Sequence, residues 1–489
     1  MNALHRDLAR LVTRIEAADA PRADADPHRQ RFHIQPPVGW LNDPNGLCKI
    51  GDEYHVFYQY GPFDPEGGVK HWGHVRSRDL LHWERLPVML YPDAPYDCHG
   101  AYSGSALWED GTLWLYYTGN VKHSGNFDYI RAGRGHNLCL AISRDGVTLD
   151  EKQCLMTNAD YPAGLTCHVR DPKVWKQDGR YYMVLGARTL EDKGVVLVLE
   201  STDRLHWTHR NTLTTPEPFG YMWECPDLFE LDGQWFLAVS PQGIDCPNVY
   251  GCGYFPVYGD WRGDCTLGDF HLFDAGYDFY APQSFVDGTR RLQFGWMAMP
   301  DAPYGTPSAA YGWNHCLTVP RVLTAGPNGT LRQNPASELA ALRCGAPVAL
   351  PCTNAPACFE LTAAPAGDFT LTLADGLELR YTERDRTAVL RFTDPALACG
   401  RDGERRARLN APCRSLRVLA DISSVEIFLN EGETVFTTRY FPAQTARTVR
   451  LDGAAGPDKS NARPADRSGV FCLERLVPVM LLRPPPWWR

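Results

Sequence analysis

The feature that most constrains the fold of this chain is a unit that recurs five times between residues 31 and 334. Each unit has a first strand, a turn containing Asp and Gly, and an aromatic-rich second strand. The lead residues of the first strands stand at positions 43, 103, 171, 224 and 280, at intervals of about 59 residues. That interval accommodates four short strands with their loops. The repeat therefore predicts a five-bladed β-propeller, in which four-stranded sheets are arranged around an axis.

The character of the sequence changes beyond residue 334. Linkers rich in Ala, Pro and Cys separate segments such as 377–381 and 425–429, which alternate apolar and polar residues. A period of two is typical of half-buried strands, so we expect a second all-β domain, a β-sandwich. The predicted domains are an N-terminal helix and linker over 1–30, a propeller over 31–334 and a sandwich over 335–489. The function of the tail at 484–489, with its two tryptophans, stays open.

The N-terminal segment predicts an amphipathic helix, because four apolar residues recur at helical spacing. They are Leu4, Leu8, Leu11 and Ile15. A charged linker is expected from Pro21 to Gln30. Charges such as Arg6 and Arg10 interrupt the apolar core that a signal peptide requires. The 16 cysteines form no paired C-x-x-C motif, so we expect reduced thiols and a cytoplasmic protein.

Charge and composition exclude several classes of partner. The net charge of −9 and the lack of any Lys/Arg block argue against nucleic-acid binding. No apolar run reaches the length of a membrane span. The 14 Trp, 22 Tyr and 20 Phe suit a sheet protein and also a carbohydrate site, where flat rings stack on sugars. No metal or organic cofactor is implied, and the oligomeric state stays open.

Three acidic lead residues are the candidates for chemistry. The first strand of each propeller blade lines the axis, so Asp43, Asp171 and Glu224 would converge at one end of a funnel. Carboxylates brought together without a cluster of metal-binding histidines favour proton and glycosyl chemistry. The alternative is structural, because Asp43 opens an Asp-Pro-Asn-Gly turn and such carboxylates commonly cap turns and strand ends.

Short motifs lie in order along nearly the whole chain. They include WLNDPNG at 40–46, YSGS at 102–105, RDP at 170–172, ECPD at 224–227 and SSVEIF at 423–428. In these motifs the chain resembles glycoside hydrolase family 32, the invertase group of β-fructofuranosidases, and within it the bacterial sucrose-6-phosphate hydrolases. The resemblance implies a five-bladed propeller followed by a β-sandwich, in agreement with the repeat.

The resemblance also implies roles for the acidic lead residues. Asp43 matches the nucleophile that attacks the anomeric C2 of a fructosyl unit, and Glu224 matches the acid/base that protonates the leaving oxygen. Asp171 matches a third carboxylate, which binds fructose hydroxyls and stabilises the transition state. The implied mechanism retains configuration, which predicts about 5–5.5 Å between the carboxyl groups of Asp43 and Glu224.

Other residues match sugar-binding positions of the family. Arg170 can neutralise part of the acidic cluster and bind the sugar, or it can serve as an ion pair between blades. Trp296 is a candidate stacking wall, whereas Trp40 and Trp72 fit blade packing equally well. The remaining predicted fructose contacts are Asn42, Gln59, Tyr102 and Ser103.

One departure from the invertase pattern bears on the substrate. Gly67 stands where many invertases have Trp, and with Lys70 it resembles the sucrose-6-phosphate hydrolases. The missing ring opens space, and nearby cations could receive a phosphate; the candidates are Lys70, His71 and Arg188. A solvated surface lysine is the alternative interpretation of Lys70.

The sequence thus predicts a retaining β-fructofuranosidase that hydrolyses sucrose 6-phosphate, sucrose or both. One alternative is hydrolysis of fructan oligosaccharides or transfer of fructosyl units to sugars. A non-catalytic sugar-binding propeller is the other alternative, although all three carboxylates are present.

Overall fold

The structure, a computed structural model, describes residues 2–443, 446–453 and 469–473. The predicted tail at 484–489 lies outside these ranges. Within them the regular secondary structure is β, apart from helices α1 (Ala3–Asp24) and α2 (Pro395–Ala398) and three 3-10 turns at Pro307–Tyr311, Pro327–Gly329 and Ser337–Leu342. The predicted all-β class is confirmed.

Five antiparallel sheets follow one another along residues 39–335, and each is built mainly from consecutive strands. Sheet I contains β1 (Gly39–Ile50), β2 (Glu53–Gly61), β3 (His71–Ser77) and β4 (Glu84–Leu90). Sheet II contains β5 (Ala101–Glu109), β6 (Thr112–Lys122), β7 (Arg134–Ser143) and β8 (Glu151–Met156). Sheet III contains β9 (Leu165–Gln177), β10 (Arg180–Thr189), β11 (Gly194–Ser201) and β12 (Thr208–Leu213).

Sheets IV and V complete this region. Sheet IV contains β13 (Met222–Leu231), β14 (Gln234–Gln242), β15 (Gly253–Gly259), β16 (Cys265–Leu267) and β17 (His271–Leu272). Sheet V contains β18 (Tyr280–Asp287), β19 (Arg290–Trp296), β21 (Arg321–Ala325) and β22 (Leu331–Pro335). The short strand β20 (Trp313–Asn314) pairs in parallel with β1, so late residues close the edge of sheet I.

The first strands of the five sheets form a closed ring. Strand β1 lies beside β5 and β18, and β9 and β13 complete the circle between them. Buried apolar clusters fill the gaps between neighbouring sheets, for example between sheets II and III and between sheets III and IV. The ring brings residues from five separate parts of the chain to one axis.

A register break occurs in each first strand at its lead residue. The breaks fall at Leu41/Pro44 in β1, Tyr102/Gly104 in β5, Arg170/Lys173 in β9, Glu224/Asp227 in β13 and Tyr280/Gln283 in β18. A β-bulge adds a residue, bends the strand and redirects a side chain. The repeated bulge therefore turns the lead side chains away from ordinary sheet packing.

Helix α1 extends further than the sequence predicts. A linker was expected from Pro21, but the helix continues to Asp24 with Pro21 in its last turn. Ala23 is fully buried against Val38 and Trp313, and this packing holds the turn despite the hydrogen bond that proline removes. Within the described ranges, no helix, α1 included, combines the length and apolar character needed to cross a membrane.

The buried face of α1 also differs from the predicted stripe. Leu4 and Leu11 are exposed, and Leu8 and Ile15 are half-buried against apolar clusters. His5, Ala9 and Val12 are the buried residues of this helix face. The reason is polar, because His5 Nδ1 lies 2.7 Å from a carboxylate oxygen of the buried Asp93. This pair sets the rotation of the helix one residue away from the leucine stripe.

The remaining strands form two six-stranded sheets. The first contains β23 (Arg343–Val348), β25 (Phe359–Ala363), β30 (Leu416–Asp421), β31 (Ser424–Leu429), β32 (Thr434–Arg439) and β34 (Gly469–Leu473). The second contains β24 (Cys352–Ala355), β26 (Phe369–Leu373), β27 (Leu377–Thr382), β28 (Thr387–Phe392), β29 (Glu404–Arg408) and β33 (Arg447–Asp452). Side chains of both sheets meet in one buried apolar cluster.

A buried network of charges joins these sheets to the N-terminal region. Arg321 donates to Glu426 at 2.6 Å and to Asp274 at 3.3 Å, and all three side chains are fully buried. His33 contacts Asp421 at 2.8 Å and Glu426 at 3.0 Å. Burial by itself lowers the pKa of His33, but the two carboxylates raise it to about 9. His33 is therefore a cation within this junction.

Removal of Arg321 should destabilise the protein strongly. Arg321→Ala leaves Glu426 and Asp274 buried with less compensation, so we expect the free energy of unfolding to fall by about 3–5 kcal/mol. Arg450→Ala is the control, since its pair with Asp375 is exposed and should contribute less than about 1 kcal/mol. Denaturant unfolding of both variants measures the difference. Equal losses would contradict the structural role of the junction.

Candidate active site

Three acidic lead residues meet around one thiol. The Sγ atom of Cys225 lies 3.7 Å from Oδ2 of Asp43 and 3.7 Å from Oδ2 of Asp171, and Glu224 precedes Cys225 in β13. Cys225 is buried, and burial raises the pKa of its thiol well above the usual value. A neutral thiol thus separates carboxylates that belong to three different sheets.

Asp43 lies in a shell of neutral donors. Oδ1 accepts a hydrogen bond from Asn42 Nδ2 at 3.1 Å, and Oδ2 accepts from Ser103 Oγ at 2.5 Å and from Gln59 Nε2 at 3.4 Å. Burial raises the pKa of Asp43 and Glu224 adds to the rise, while Ser103 and Asn42 oppose it. The shell fixes the carboxylate and favours its ionised form without supplying a positive charge.

Asp171 is held through its backbone as well as its side chain. It adopts a left-handed conformation (φ 65°), its N–H donates to Thr118 Oγ1 at 2.9 Å, and Oδ2 accepts from the N–H of Cys225 at 2.9 Å. Burial raises the pKa of Asp171 to about 7; Glu224 contributes to the rise and Arg170 opposes it. Asp171 therefore changes charge near neutral pH.

Glu224 has the strongest donors of the three. Oε1 accepts from Arg170 through Nε at 3.2 Å and Nη2 at 2.5 Å. Oε2 accepts from Gln242 Nε2 at 2.8 Å and from the hydroxyl of Tyr280 at 2.6 Å. Asp43 and Glu224 thus have different partners, which is how two neighbouring carboxylates acquire different chemical tasks.

Arg170 is itself positioned by His168. Its Nη1 atom lies 2.6 Å from Nδ1 of His168, and a guanidinium can only donate, so Nδ1 is the acceptor and the imidazole is neutral. Nε2 then donates to the carbonyl of Tyr129 at 3.2 Å. Burial and the charge of Arg170 together lower the pKa of His168 to about 3, in agreement with a neutral imidazole.

The structure distributes the predicted sugar contacts unevenly. Asn42, Gln59 and Ser103 surround Asp43, as described above. Tyr102 is half-buried, with its ring 6.0 Å from that of His136. Lys70 Nζ lies 4.9 Å above the Trp40 ring.

Three of the residues considered as sugar or phosphate contacts are too buried for that role. Trp296 is only 3% exposed and packs behind Trp40 at 5.7 Å, so its ring offers little surface for a sugar to stack on. Trp72 is fully buried and donates to the carbonyl of Tyr102, which is a packing role. His71 is also fully buried, so it is not a surface phosphate ligand.

Three residues at the site were not singled out from the sequence. Tyr280 is the lead residue of the fifth unit, so the repeat itself was a signal for it. His168 stands two residues before Arg170 in β9, and alternation places both on one face of the strand. Gln242 ends β14, and only the register with β13, which pairs Ser240 with Glu224, reveals its position.

Converging carboxylates at the strand bulges of an all-β region, with an arginine bound to Glu224, constitute the kind of site that glycoside hydrolases use. The model of the glycosyl hydrolases family 32 N-terminal domain matches residues 33–335, and that of the family 32 C-terminal region matches residues 359–463. The chain belongs to glycosyl hydrolase family 32.

Two curated relatives and one solved structure illustrate the similarity. A sucrose-6-phosphate hydrolase of Bacillus subtilis (strain 168) is 38% identical, with 90% of this chain and 95% of the relative covered. A raffinose invertase of Escherichia coli is 37% identical, with 87% and 92% covered. The structure of sucrose-6-phosphate hydrolase from Lactobacillus gasseri aligns with a TM-score of 0.83 at 26% identity over 95% of this chain and 97% of that one.

Substitution of Asp171 should stabilise the protein near neutral pH. The folded-state pKa of about 7 lies above the unfolded value of about 3.9, so the native state holds a proton that the unfolded state releases. Stability from this proton is complete below pH 4 and is lost as the pH rises through 7. Asp171→Asn cannot ionise, so it should exceed wild type by about 1–4 kcal/mol at pH 7.5 and match it near pH 4.

Unfolding by urea at several pH values measures this difference. Asp232→Asn is the control, because Asp232 is an exposed turn residue in the left-handed region (φ 51°), which Asn tolerates. It should change the free energy of unfolding by less than about 0.5 kcal/mol throughout. A stability gain for Asp171→Asn that does not vary with pH would contradict the proposed linkage.

Proposed function

We propose that the protein is a retaining β-fructofuranosidase that hydrolyses the fructosyl bond of sucrose 6-phosphate, sucrose or both. The observation that carries this proposal is the convergence of Asp43, Asp171 and Glu224 around Cys225, with different hydrogen-bond partners for each. Family membership supports the reaction class, and the names of the relatives support the substrate.

We infer that the five sheets are the blades of a β-propeller over residues 31–334. The closed ring of first strands supports this arrangement, and the shared bulges fit an axis lined by lead residues. The two later sheets, with their common apolar cluster, fit a β-sandwich domain over residues 335–489 that follows the helix and linker of residues 1–30. The acidic site residues all lie in the first domain, so a packing, specificity or oligomer role fits the second domain better than catalysis.

In the proposed reaction, a carboxylate oxygen of Asp43 attacks C2 of the fructosyl unit. The bond from C2 to the bridging oxygen breaks, and that oxygen takes a proton from Glu224 as the glucosyl product leaves. Glu224, now a carboxylate, removes a proton from water, and the resulting hydroxide attacks C2 and releases Asp43. Asp171 binds sugar hydroxyls, and Arg170 orients Glu224.

The two principal roles can be separated with substrates of different leaving group. Asp43→Asn removes the nucleophile and should lower kcat by at least about 1,000-fold on both sucrose and p-nitrophenyl β-fructofuranoside. Glu224→Gln should lower kcat by about 100- to 10,000-fold on sucrose. Its loss of kcat/KM on the nitrophenyl substrate, which reports the first step alone, should be much smaller, because nitrophenolate leaves without a proton.

Initial rates of reducing-sugar and nitrophenol release measure both variants. Cys225→Ser, which alters the site but leaves every carboxylate in place, is the matched control. Asp43→Asn with wild-type activity would refute the nucleophile assignment. An inactive wild type would instead favour the non-catalytic sugar-binding module.

Preference for the phosphorylated disaccharide rests on the opening near Gly67. A Cβ atom at position 67 would lie 3.9 Å from Nζ of Lys70, so the missing side chain leaves room beside a cation. A phosphorylated sugar carries charge and does not cross a membrane unaided, so it stays in the cell, which agrees with the cytoplasmic location that the sequence predicts. We expect kcat/KM for sucrose 6-phosphate to exceed that for sucrose at least tenfold, that is, by about 1.4 kcal/mol in transition-state binding.

Competition among substrates tests this preference and the alternatives together. Sucrose 6-phosphate, sucrose, raffinose and a short inulin are compared at equal enzyme concentration. Comparable kcat/KM for the first two would remove the phosphate preference. Faster turnover of inulin would favour a fructan hydrolase, and fructosylated sugars among the products would favour transfer.

A further inference from the structure

Arg134, the first residue of β7, is a guanidinium beside the active site without an anionic partner. It is half-buried, its Nε atom is buried without a hydrogen-bond partner, and no salt bridge joins it to any Asp or Glu of the described ranges. Lys122 stands directly opposite in β6. Lys122 Nζ lies 5.6 Å from the centre of the Tyr129 ring, and no carboxylate of the described residues forms a salt bridge with either cation. The end of this strand pair is therefore a site of positive potential.

The position of Arg134 follows from the face of β7 on which it lies. Arg134 and His136 share a face because strand side chains alternate. The ring of His136 is 6.0 Å from that of Tyr102 and 5.4 Å from that of His168. His168 in turn holds Arg170, the partner of Glu224. This chain of contacts places Arg134 on the same side of the site as Glu224.

Electrostatic coupling agrees with that placement. Burial raises the pKa of Tyr102, and the charges of Arg134 and Arg170 oppose the rise. Burial lowers the pKa of Arg134, and Arg170 lowers it further. Arg134 and Arg170 therefore repel each other, and an anion bound beside Arg134 would relieve that repulsion.

The other cations near the site are already engaged or lie elsewhere. Arg170 is committed to Glu224, and Arg188 forms a salt bridge with Asp192 at 2.8 Å. Lys70 stands over the ring of Trp40, which donates to Asn42 beside Asp43, so this cation lies on the nucleophile side. Arg134 differs from all of them in having a free hydrogen-bonding capacity on the acid/base side.

We propose that Arg134, with Lys122 beside it, binds the phosphate group of a phosphorylated leaving sugar. This inference rests on the proposed function, and it assigns the phosphate contact to Arg134 in place of Lys70 beside the Gly67 opening. The acid/base protonates the oxygen of the leaving sugar, so that sugar and its phosphate lie on the Glu224 side. A guanidinium presents paired donors that match phosphate oxygens, which a lysine ammonium cannot do.

The test compares wild type with Arg134→Gln and Arg134→Lys on sucrose 6-phosphate and on sucrose. Loss of a charge-assisted contact should lower the ratio of the two kcat/KM values by about 10- to 100-fold in Arg134→Gln, mainly through KM for the phosphorylated substrate. Arg134→Lys keeps the positive charge, so its ratio should lie between those of Arg134→Gln and wild type. Inorganic phosphate should inhibit wild type competitively and Arg134→Gln more weakly.

Arg144→Gln is the matched control, because it removes one arginine from the loop that follows the same strand, where Arg144 pairs with Asp150 and Glu151 in solvent. It should leave the ratio unchanged. Lys70→Gln is measured in parallel. The assignment of Arg134 would be overturned if the ratio of the two kcat/KM values fell in Lys70→Gln but stayed at the wild-type value in Arg134→Gln.

Failure of this inference differs from failure of the proposed function. A wild type that favours sucrose 6-phosphate, together with an Arg134→Gln variant of equal preference, overturns only the role of Arg134. A wild type without preference and without inhibition by inorganic phosphate overturns the phosphate site as a whole. A wild type that hydrolyses neither sugar overturns the proposed function itself. Circular dichroism of Arg134→Gln confirms that a changed ratio does not arise from misfolding.

Discussion

Repulsion among three closely placed carboxylates is the constraint on which the site depends. Asp171 is buried and Asp43 and Glu224 are half-buried, so water screens their charges less than it would at an open surface. Arg170 is the cation that touches this group, and it is directed to Glu224 by His168. Arg170 Nε also lies 3.8 Å from Asp171 Oδ2, but burial still raises the pKa of Asp171 to about 7. Asp43 relies on the neutral donors Asn42, Ser103 and Gln59.

The bulges explain how the chain tolerates such a site. A regular strand would turn alternate side chains into the gaps between sheets, where an unpaired carboxylate is costly. The extra residue at each bulge instead frees backbone groups and redirects the lead side chain. In β13 the freed N–H of Cys225 becomes a donor to Asp171, so the irregular backbone of one sheet serves a carboxylate of another.

Much of this organisation was predictable from local sequence. The repeat of turn and aromatic strand predicted the all-β class and pointed to the lead positions, each of which stands at a register break. Which face of α1 is buried was not predictable, because His5 on that face contacts Asp93, which lies 88 residues away in the sequence. The burial of Trp296 and the contact of Gln242 with Glu224 depend likewise on packing and register that no local pattern encodes.

The junction around His33 and Arg321 has a consequence for folding during synthesis on the ribosome. Asp421, the partner of His33, is translated 388 residues after it, and Glu426 is translated 105 residues after its partner Arg321. At a synthesis rate of about 5–20 residues per second, His33 waits roughly 20–80 s on the ribosome before its carboxylates exist. All the site residues up to Tyr280 are therefore translated before Asp421 and Glu426, the carboxylates that complete the junction.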